Sequence, residues 1–373
     1  MKNSVSVTAA VNRLLRSGSP VAMGVSGGKD SCTLAFAVND YLNRVGHTGP
    51  RILIHSDLGR VEWKDSLPTC ERLADAVGLE LVTVRRRAGD MMDRWRVRWR
   101  NNLARYADLS CVKLILPWPT AAMRYCTSEM KTQVICRYLV ERFPGRTIIS
   151  ASGIRADESP KRAKSPVVKV QPKLKSKTFE TLGFDWHPIL RWKKAQVFSY
   201  LAARHFPLHE AYSVYGSSRV SCAFCFLASQ GDIRASAECQ DNHDIYREMC
   251  RLEIESTFSF QADNWLSDAA PELLTAEDRD ELEEAKLKAQ IREAAEARIP
   301  PHLLYTKGWP TVMPTRAEAG LLAEIRSTVS SLINVQVQYL DADSILERYD
   351  NLMSEREIRS REKEIGRRAR SSG

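Results

Sequence analysis

The stretch that most constrains the fold is residues 21–34, VAMGVSGGKDSCTL. Residues 21–25 read as a buried strand, residues 26–30 as a glycine-rich loop, and a helix opens at Ser31 and runs to about residue 43. A strand that turns through such a loop into a helix is a phosphate-binding device. The first N–H groups of the helix lack intrahelical partners, and the helix dipole favours an anion there. Gly27 and Gly28 permit close backbone approach. Lys29 adds a positive charge, and the hydroxyls of Ser26 and Ser31 donate to phosphate oxygens. Ser26, Gly27, Gly28, Lys29, Asp30 and Ser31 are therefore the candidate phosphate-binding residues. The alternative is an ordinary strand-to-helix turn. The loop is not a Walker A motif, since GxxxxGK[ST] is absent.

The rest of the first half of the chain alternates strands with helices. Residues 5–16 read as a short amphipathic helix. Residues 51–55 and 79–84 read as strands, with a helix over 63–77 that turns Trp63, Leu67, Leu73 and Ala74 inward. A helix over 127–143 leads to a strand at 147–152, and another helix covers 193–204. This alternation predicts an α/β fold: a twisted, mainly parallel sheet with helices on both faces. Ligands in such sheets lie beyond the carboxyl ends of the strands. Asp57 sits at one such end. The loop at residues 152–159, SGIRADES, sits at another and brings Gly153 and Arg155 to the predicted cleft. Residues 161–177 read as a flexible basic loop carrying Pro166 and Pro172.

After residue 266 the composition shifts to Ala, Glu, Lys and Leu. A long, mostly solvated helix is expected over 271–298, with Thr275 and Asp278 placed as a capping box. Further helices are expected over 315–334 and 343–365. The expected organisation is a nucleotide-binding domain over 1–205, a cysteine-containing extension over 206–266 and a helical, basic region over 267–373.

The net charge of +9 is unevenly placed. Residues 85–105 hold eight arginines against two aspartates, with Trp95 and Trp99 four apart; residues 161–177 hold seven basic residues and no acid. Such clusters fit a polyanion, and nucleic acid is the expected partner. The basic tail at 355–370 reads equally well as a solvated face. No run of 18 apolar residues is present, so no membrane span is expected. The N-terminal residues lack the apolar core of a signal peptide, and a cytoplasmic location is expected. In that compartment the nine cysteines argue against a disulfide framework. Cys222 and Cys225 form a CxxC, a spacing that lets two thiolates reach one ion or cluster. A zinc site with His209 or His243 as further ligands, or simply two buried thiols, are the alternatives.

The motifs also carry a resemblance. SGGKDS resembles the PP-loop of the ATP pyrophosphatase (adenine nucleotide α-hydrolase) superfamily. IHSDLGRVEW at 54–63, RYCTSEMK at 124–131, SGIRADES with Arg162, HPILRW at 187–192 and SRVSCAFC at 218–225 come after it in that order. Together they resemble the phosphoadenosine phosphosulfate (PAPS) reductase-like branch over roughly residues 20–235. The resemblance implies an α-hydrolase-like fold that binds ATP with Mg²⁺. It places Asp57 on the adenosine side of the cleft and makes Lys131 and Arg155, with Lys29 and Asp30, the candidate catalytic groups. It also implies a [4Fe-4S] cluster held by Cys126, Cys222 and Cys225, with Cys239 or Cys250 as a fourth ligand or none; zinc is the runner-up.

Two chemistries occur in this branch. Sulfonucleotide reductases make sulfite with a cysteine nucleophile in an ECG-x-H-like motif. Other members, such as the DNA phosphorothioation-type sulfurtransferases, cleave ATP to AMP and pyrophosphate and insert sulfur, drawing on a donor such as a cysteine desulfurase. Residues 238–243, ECQDNH, lack the reductase glycine and displace His243. SGGKDS is intact, and the basic segments exceed what a small nucleotide needs. An ATP-dependent, iron–sulfur sulfurtransferase acting on DNA or tRNA is therefore expected. A PAPS or adenosine phosphosulfate reductase, or a non-catalytic nucleotide- or nucleic-acid-binding module, are the competing readings.

Overall fold

The computed structural model describes residues 4–371. The outermost residues of the expected 1–205 and 267–373 domains, 1–3 and 372–373, lie outside the described residues. The chain divides into two compact units. One comprises Met1–Met92 and Pro119–Tyr246, the other Asp93–Trp118 and Arg247–Gly373.

The elements run in chain order as α1 (Ala9–Arg16), β1 (Val21–Val25), α2 (Lys29–Arg44), β2 (Arg51–Asp57), α3 (Ser66–Val77), β3 (Glu80–Arg85) and α4 (Met91–Ala107). Next come α5 (Tyr125–Thr127), α6 (Gln133–Arg142), β4 (Thr147–Ala151), α7 (Pro160–Ala163), β5 (Val168–Val170) and β6 (Leu182–Trp186). The rest is helical: α8 (Lys194–Ala202), α9 (Glu210–Ser213), α10 (Gln230–Glu238), α11 (His243–Ser256), α12 (Ala276–Ala297), α13 (Arg316–Leu332) and α14 (Ala342–Ser371).

Among the described residues six strands form one sheet in the order β3-β2-β1-β4-β6-β5. Every pairing is parallel except β5 with β6. The strand residues alternate between two cores because successive side chains point to opposite faces. Met23, Val25, Leu53 and Ile149 pack on one face with Leu34 and Val38 of α2. Ala22, Ile52, Ile54 and Ile148 pack on the other with Cys136, Leu139 and Val140 of α6. Burial on both faces is why β1 reads as a continuous apolar run. The sheet reverses its order at β1, with β2 on one side and β4 on the other, and that switch point opens a crevice at the carboxyl ends.

The structure bears out the α/β expectation and corrects several details. The helix after the glycine loop begins at Lys29 rather than Ser31. The third helix begins at Ser66, and Leu67 faces outward at 36% exposure. Residues 161–177 contain α7, the edge strand β5 and a 3₁₀ turn at Pro172–Leu174 rather than a continuous loop. Short alternating Lys and Val residues there hide a strand of only three residues. β6 leaves no clear sequence signal, because its polar Asp185 breaks the apolar run.

The second unit is helical. Its residues 93–118 hold the part of the Arg/Trp cluster from Arg94 onward, which falls in α4, and Trp95 and Trp99 are 3% and 1% exposed. Trp95 meets Trp118 edge-on at 5.3 Å, and Trp118 meets Phe260 at 5.1 Å. These indoles are core and offer no stacking platform for bases. Arg326, buried, donates to the carbonyls of Tyr106, Ala107, Gln338 and Tyr339, and so ties residues 93–118 to α13 and the turn before α14. The Thr275–Asp278 capping box opens α12 as expected. That helix is mostly solvated, with Leu282, Ala285, Ala289 and Arg292 on its one buried face. No helix of the described residues is long and apolar enough to cross a membrane.

Candidate active site

The nucleotide loop is shaped by its own side chains. Ser31 Oγ donates to the Gly28 carbonyl at 2.9 Å and accepts the Ser26 N–H at 3.1 Å, which closes residues 26–31 into a ring. Gly27 holds φ +71°, and a Cβ there would come within 3.1 Å of both Ser66 O and His209 Cδ2. Only glycine meets both demands. Lys29 is buried. Its ammonium lies 3.3 Å from Asp30 Oδ2 and over the rings of Tyr212 (5.3 Å) and Phe198 (5.8 Å).

Across the crevice the SGIRADES loop follows β4. Gly153 lets it touch the start of α2: a Cβ there would lie 2.7 Å from the Asp30 carbonyl oxygen. Arg155, 3% exposed, donates Nε to Asp30 Oδ1 at 2.5 Å and Nη1 to Asp157 Oδ1 at 2.5 Å. Burial alone would lower its pKa, but Asp30, Asp157 and Glu158 together raise it, so the guanidinium is a fixed cation. Lys29, Asp30, Arg155 and Asp157 thus form one chain of alternating charge along the crevice floor. Asp57, at the end of β2, accepts the Gly59 N–H at 2.7 Å and lies 3.6 Å from Arg85. Its carboxylate shapes the turn beyond β2.

The thiol-bearing segment reaches the same place. Val220 lies against the loop, 3.5 Å from where a Cβ on Gly28 would sit. Cys222 bridges Glu62, and the Ala223 N–H donates to the Val61 carbonyl at 2.8 Å, which fastens the CxxC to the turn after β2. Asp232 secures both ends of the segment, accepting from Ser218 N (2.6 Å), Ser218 Oγ (2.9 Å), Ser217 Oγ (3.1 Å) and Ser229 Oγ (2.9 Å). Those donors hold its pKa below the ordinary carboxylate value although burial opposes them.

Cys126 lies in α5, directly before a π-helical turn, Ser128–Thr132, that carries Lys131. Wide turns of this kind often occur at functional sites. Cys126, Cys222 and Cys225 are near enough to act on one another's charge. Burial raises the Cys126 thiol and pushes Cys222 up to about 12. Cys225 raises both further, while Lys131 pulls both down. Lys131, expected beside the phosphates, therefore exerts its charge on the thiols. Among the described residues no group of three or more His, Cys, Asp or Glu side chains is gathered as a metal site. Thiols are soft donors of the kind that iron or zinc takes in preference to magnesium. Cys239 is 2% exposed and lies close enough to Tyr215 to raise the pKa of its phenol.

The histidines offered as zinc ligands are otherwise engaged. His209 Nδ1 accepts the Ala211 N–H, and its Nε2 lies 3.3 Å from Ser66 Oγ. Burial lowers its pKa to about 4, so it caps α9 as a neutral ring. His243 Nε2 lies 2.9 Å from the Ala237 carbonyl.

Sequence reasoning missed two participants. Tyr212, whose hydroxyl accepts from both Lys29 N and Val220 N, carries no motif signal. The His55–Glu62 pair (3.1 Å) sits inside IHSDLGRVEW, where Asp57 alone stands out by its place at a strand end.

A mainly parallel sheet whose switch point carries the glycine loop SGGKDS defines an α/β protein with helices on both faces. Residues 20–227, more than half of the chain, match the phosphoadenosine phosphosulfate reductase domain, and the chain belongs to that family. Two solved structures are similar to it. PAPS reductase from Candida auris, a phosphate complex, is 15% identical with a TM-score of 0.35, covering 59% of this chain and 97% of that one. The U34-tRNA thiolase NcsA from Methanococcus maripaludis, solved with its [4Fe-4S] cluster, is 17% identical with a TM-score of 0.36, covering 63% and 71%. No curated protein matches the chain.

Proposed function

We propose that the protein is an ATP-dependent sulfurtransferase that activates nucleic acid for sulfur insertion. The observation that carries this reading is the direct bonding of the thiol segment to the nucleotide loop through Val220 and Tyr212. The loop N–H groups and the ring of residues 26–31 bind the pyrophosphate of ATP. Arg155 orients Asp30, which would place Mg²⁺, and that cation would neutralise phosphate charge. A substrate oxygen attacks the α-phosphorus, the α–β bond breaks, and pyrophosphate leaves with the bonding electron pair. Sulfur at the sulfide level then displaces AMP, so no net electron transfer is required. Cys126, Cys222 and Cys225 would hold the [4Fe-4S] cluster, which supplies a site for sulfide delivered by a donor such as a cysteine desulfurase. Lys131 holds positive charge beside those thiols and favours their thiolate forms. The exposed lysines 161, 164, 169, 173, 175 and 177 belong to the same unit and suit a phosphate backbone.

Sulfonucleotide reduction needs a reachable cysteine nucleophile, and the burial of Cys239 disfavours it. The test is anaerobic purification with iron and sulfide assays, followed by α-labelled ATP with and without DNA or tRNA. AMP and pyrophosphate formed only with nucleic acid support the reading, as does their loss in Lys29→Ala. Sulfite released from PAPS by thioredoxin-reduced protein, with no ATP turnover, would refute it. A protein that binds nucleotide and turns over neither substrate would instead be a binding module.

A further inference from the structure

The Tyr212 hydroxyl joins two parts of the site that lie far apart in the chain. The N–H of Lys29, first residue of α2, donates to it at 3.3 Å, and the N–H of Val220 donates to it at 3.0 Å. A hydroxyl oxygen has two acceptor positions, so both are taken, one by the nucleotide loop and one by the thiol segment. The ring is held independently, edge-on to Phe198 with centroids 6.0 Å apart and beneath the Lys29 ammonium. Val220 stands two residues before Cys222. The segment's other ties, Ala223 to Val61 and Ser217, Ser218 and Ser229 to Asp232, do not reach α2.

We propose that Tyr212 is a positioning residue whose hydroxyl sets the register between the first turn of α2 and the segment carrying Cys222 and Cys225. The coupling of nucleotide to thiol reactivity rests on the proposed sulfurtransferase function; the positional claim does not. Without the hydroxyl, the Lys29 and Val220 N–H groups lose their shared acceptor. α2 is anchored in the sheet core, so the thiol segment is the part that shifts.

The test is Tyr212→Phe, which keeps the ring contacts. Alkylation of each cysteine by iodoacetamide is followed in the full, metal-free chain by peptide mass spectrometry. The expected result is a severalfold faster reaction at Cys222 and Cys225 with Cys126 unchanged, and a weaker response of those two rates to added ATP than in the wild type. Phe198→Leu, which leaves the hydroxyl bridge in place, is expected to leave the rates unaltered. Wild-type rates at Cys222 and Cys225 in Tyr212→Phe overturn the proposal, and so does an equal acceleration in Phe198→Leu. Should Tyr212→Phe not fold, hydrogen exchange on the wild type decides. Protected Lys29 and Val220 amides support the bridge, and a Val220 amide exchanging at the free-chain rate overturns it. Absence of ATP cleavage with the expected alkylation pattern would remove the proposed function and leave the positioning role standing. The reverse result would retain the function and remove Tyr212 from it.

Discussion

Arg155 Nε and Asp30 Oδ1 stand 2.5 Å apart across the crevice, joining the loop after β4 to the first turn of α2. Arg155 is nearly enclosed, so its loss strands a carboxylate with Lys29 alone as counter-charge. Arg155→Ala is expected to destabilise the protein by about 3 kcal/mol, the usual scale for breaking a buried pair from one side. Arg155→Lys keeps the charge and loses the fork that reaches Asp30 and Asp157 together. It is expected to recover part of the stability but little ATP cleavage. Urea unfolding and turnover of α-labelled ATP measure the two effects.

The contact at Gly153 is backbone against backbone, so it has little room to yield. Gly153→Ala is expected to weaken ATP binding by about tenfold or more, equivalent to about 1.4 kcal/mol, because the new methyl pushes Asp30 and Ser31 out of place. Far-UV circular dichroism should remain that of the wild type. Gly231→Ala serves as the control: its Cβ meets nothing nearer than Ser229 Oγ at 3.8 Å, inside helix α10. There alanine is expected to stabilise by about 0.5–1 kcal/mol.

The two buried histidines beside the loop titrate in opposite senses. His209 is held neutral, with its pKa lowered to about 4 by burial. Its contribution is therefore full above pH 6.5 and is lost as the pH falls toward 4, a range worth about 3 kcal/mol at about 1.4 kcal/mol per pH unit. His55 behaves the other way. Burial works against its charge, yet hydrogen bonds to Cys70 and Glu62 raise its pKa to about 10. Its contribution is full below pH 6.5 and declines as the pH rises toward 10. Urea unfolding at a series of pH values should show the acid-side slope flattened in His209→Gln and the alkaline-side slope flattened in His55→Gln.

Cys126, Cys222 and Cys225 are expected to be needed together for iron. Each Cys→Ser variant should lose most of its iron and acid-labile sulfide after anaerobic purification, together with the visible charge-transfer absorption. Cys239→Ser should keep all three, since Cys239 is not among the groups that act on the Cys126 and Cys222 thiols. Equal iron in all four variants would remove these thiols as ligands.

In the helical unit, Glu253 is fully buried and accepts from Phe260 N, Leu266 N, Ser267 N and Ser267 Oγ. Glu253→Ala leaves those buried donors unpaired, at roughly 1–3 kcal/mol each before relaxation. A clear fall in the melting temperature is expected. Glu253→Gln retains one acceptor oxygen and should melt between that variant and the wild type.

The sheet was legible because parallel strands buried on both faces leave apolar runs that end in glycine loops, as at Val21–Val25. The nucleotide loop was legible because its chemistry is local: six consecutive residues close on themselves through Ser31. Gly153 and Arg155 were legible by position at a strand end. For the Arg/Trp cluster composition records charge but not direction: Trp95 and Trp99 turn inward. Tyr212 was invisible because its role is a contact across 183 residues of chain with no pattern around it. The chain's division into units is likewise long-range, since residues 93–118 join partners from beyond residue 247.

Asp232 holds Ser217 and Ser218 at one end of the thiol segment and Ser229 at the other. A loop whose two ends meet at a single carboxylate is already closed, so lengthening its interior adds only a slowly growing entropy of closure. Length added at the exposed Leu227 therefore costs little, while Asp232, the anchoring serines, Val220 and the Cys222–Ala223 strip that meets Glu62 and Val61 cannot be moved. The thiol segment is in this sense a loop with fixed terminals, tied to the nucleotide loop by its own backbone N–H at Val220 rather than by its length.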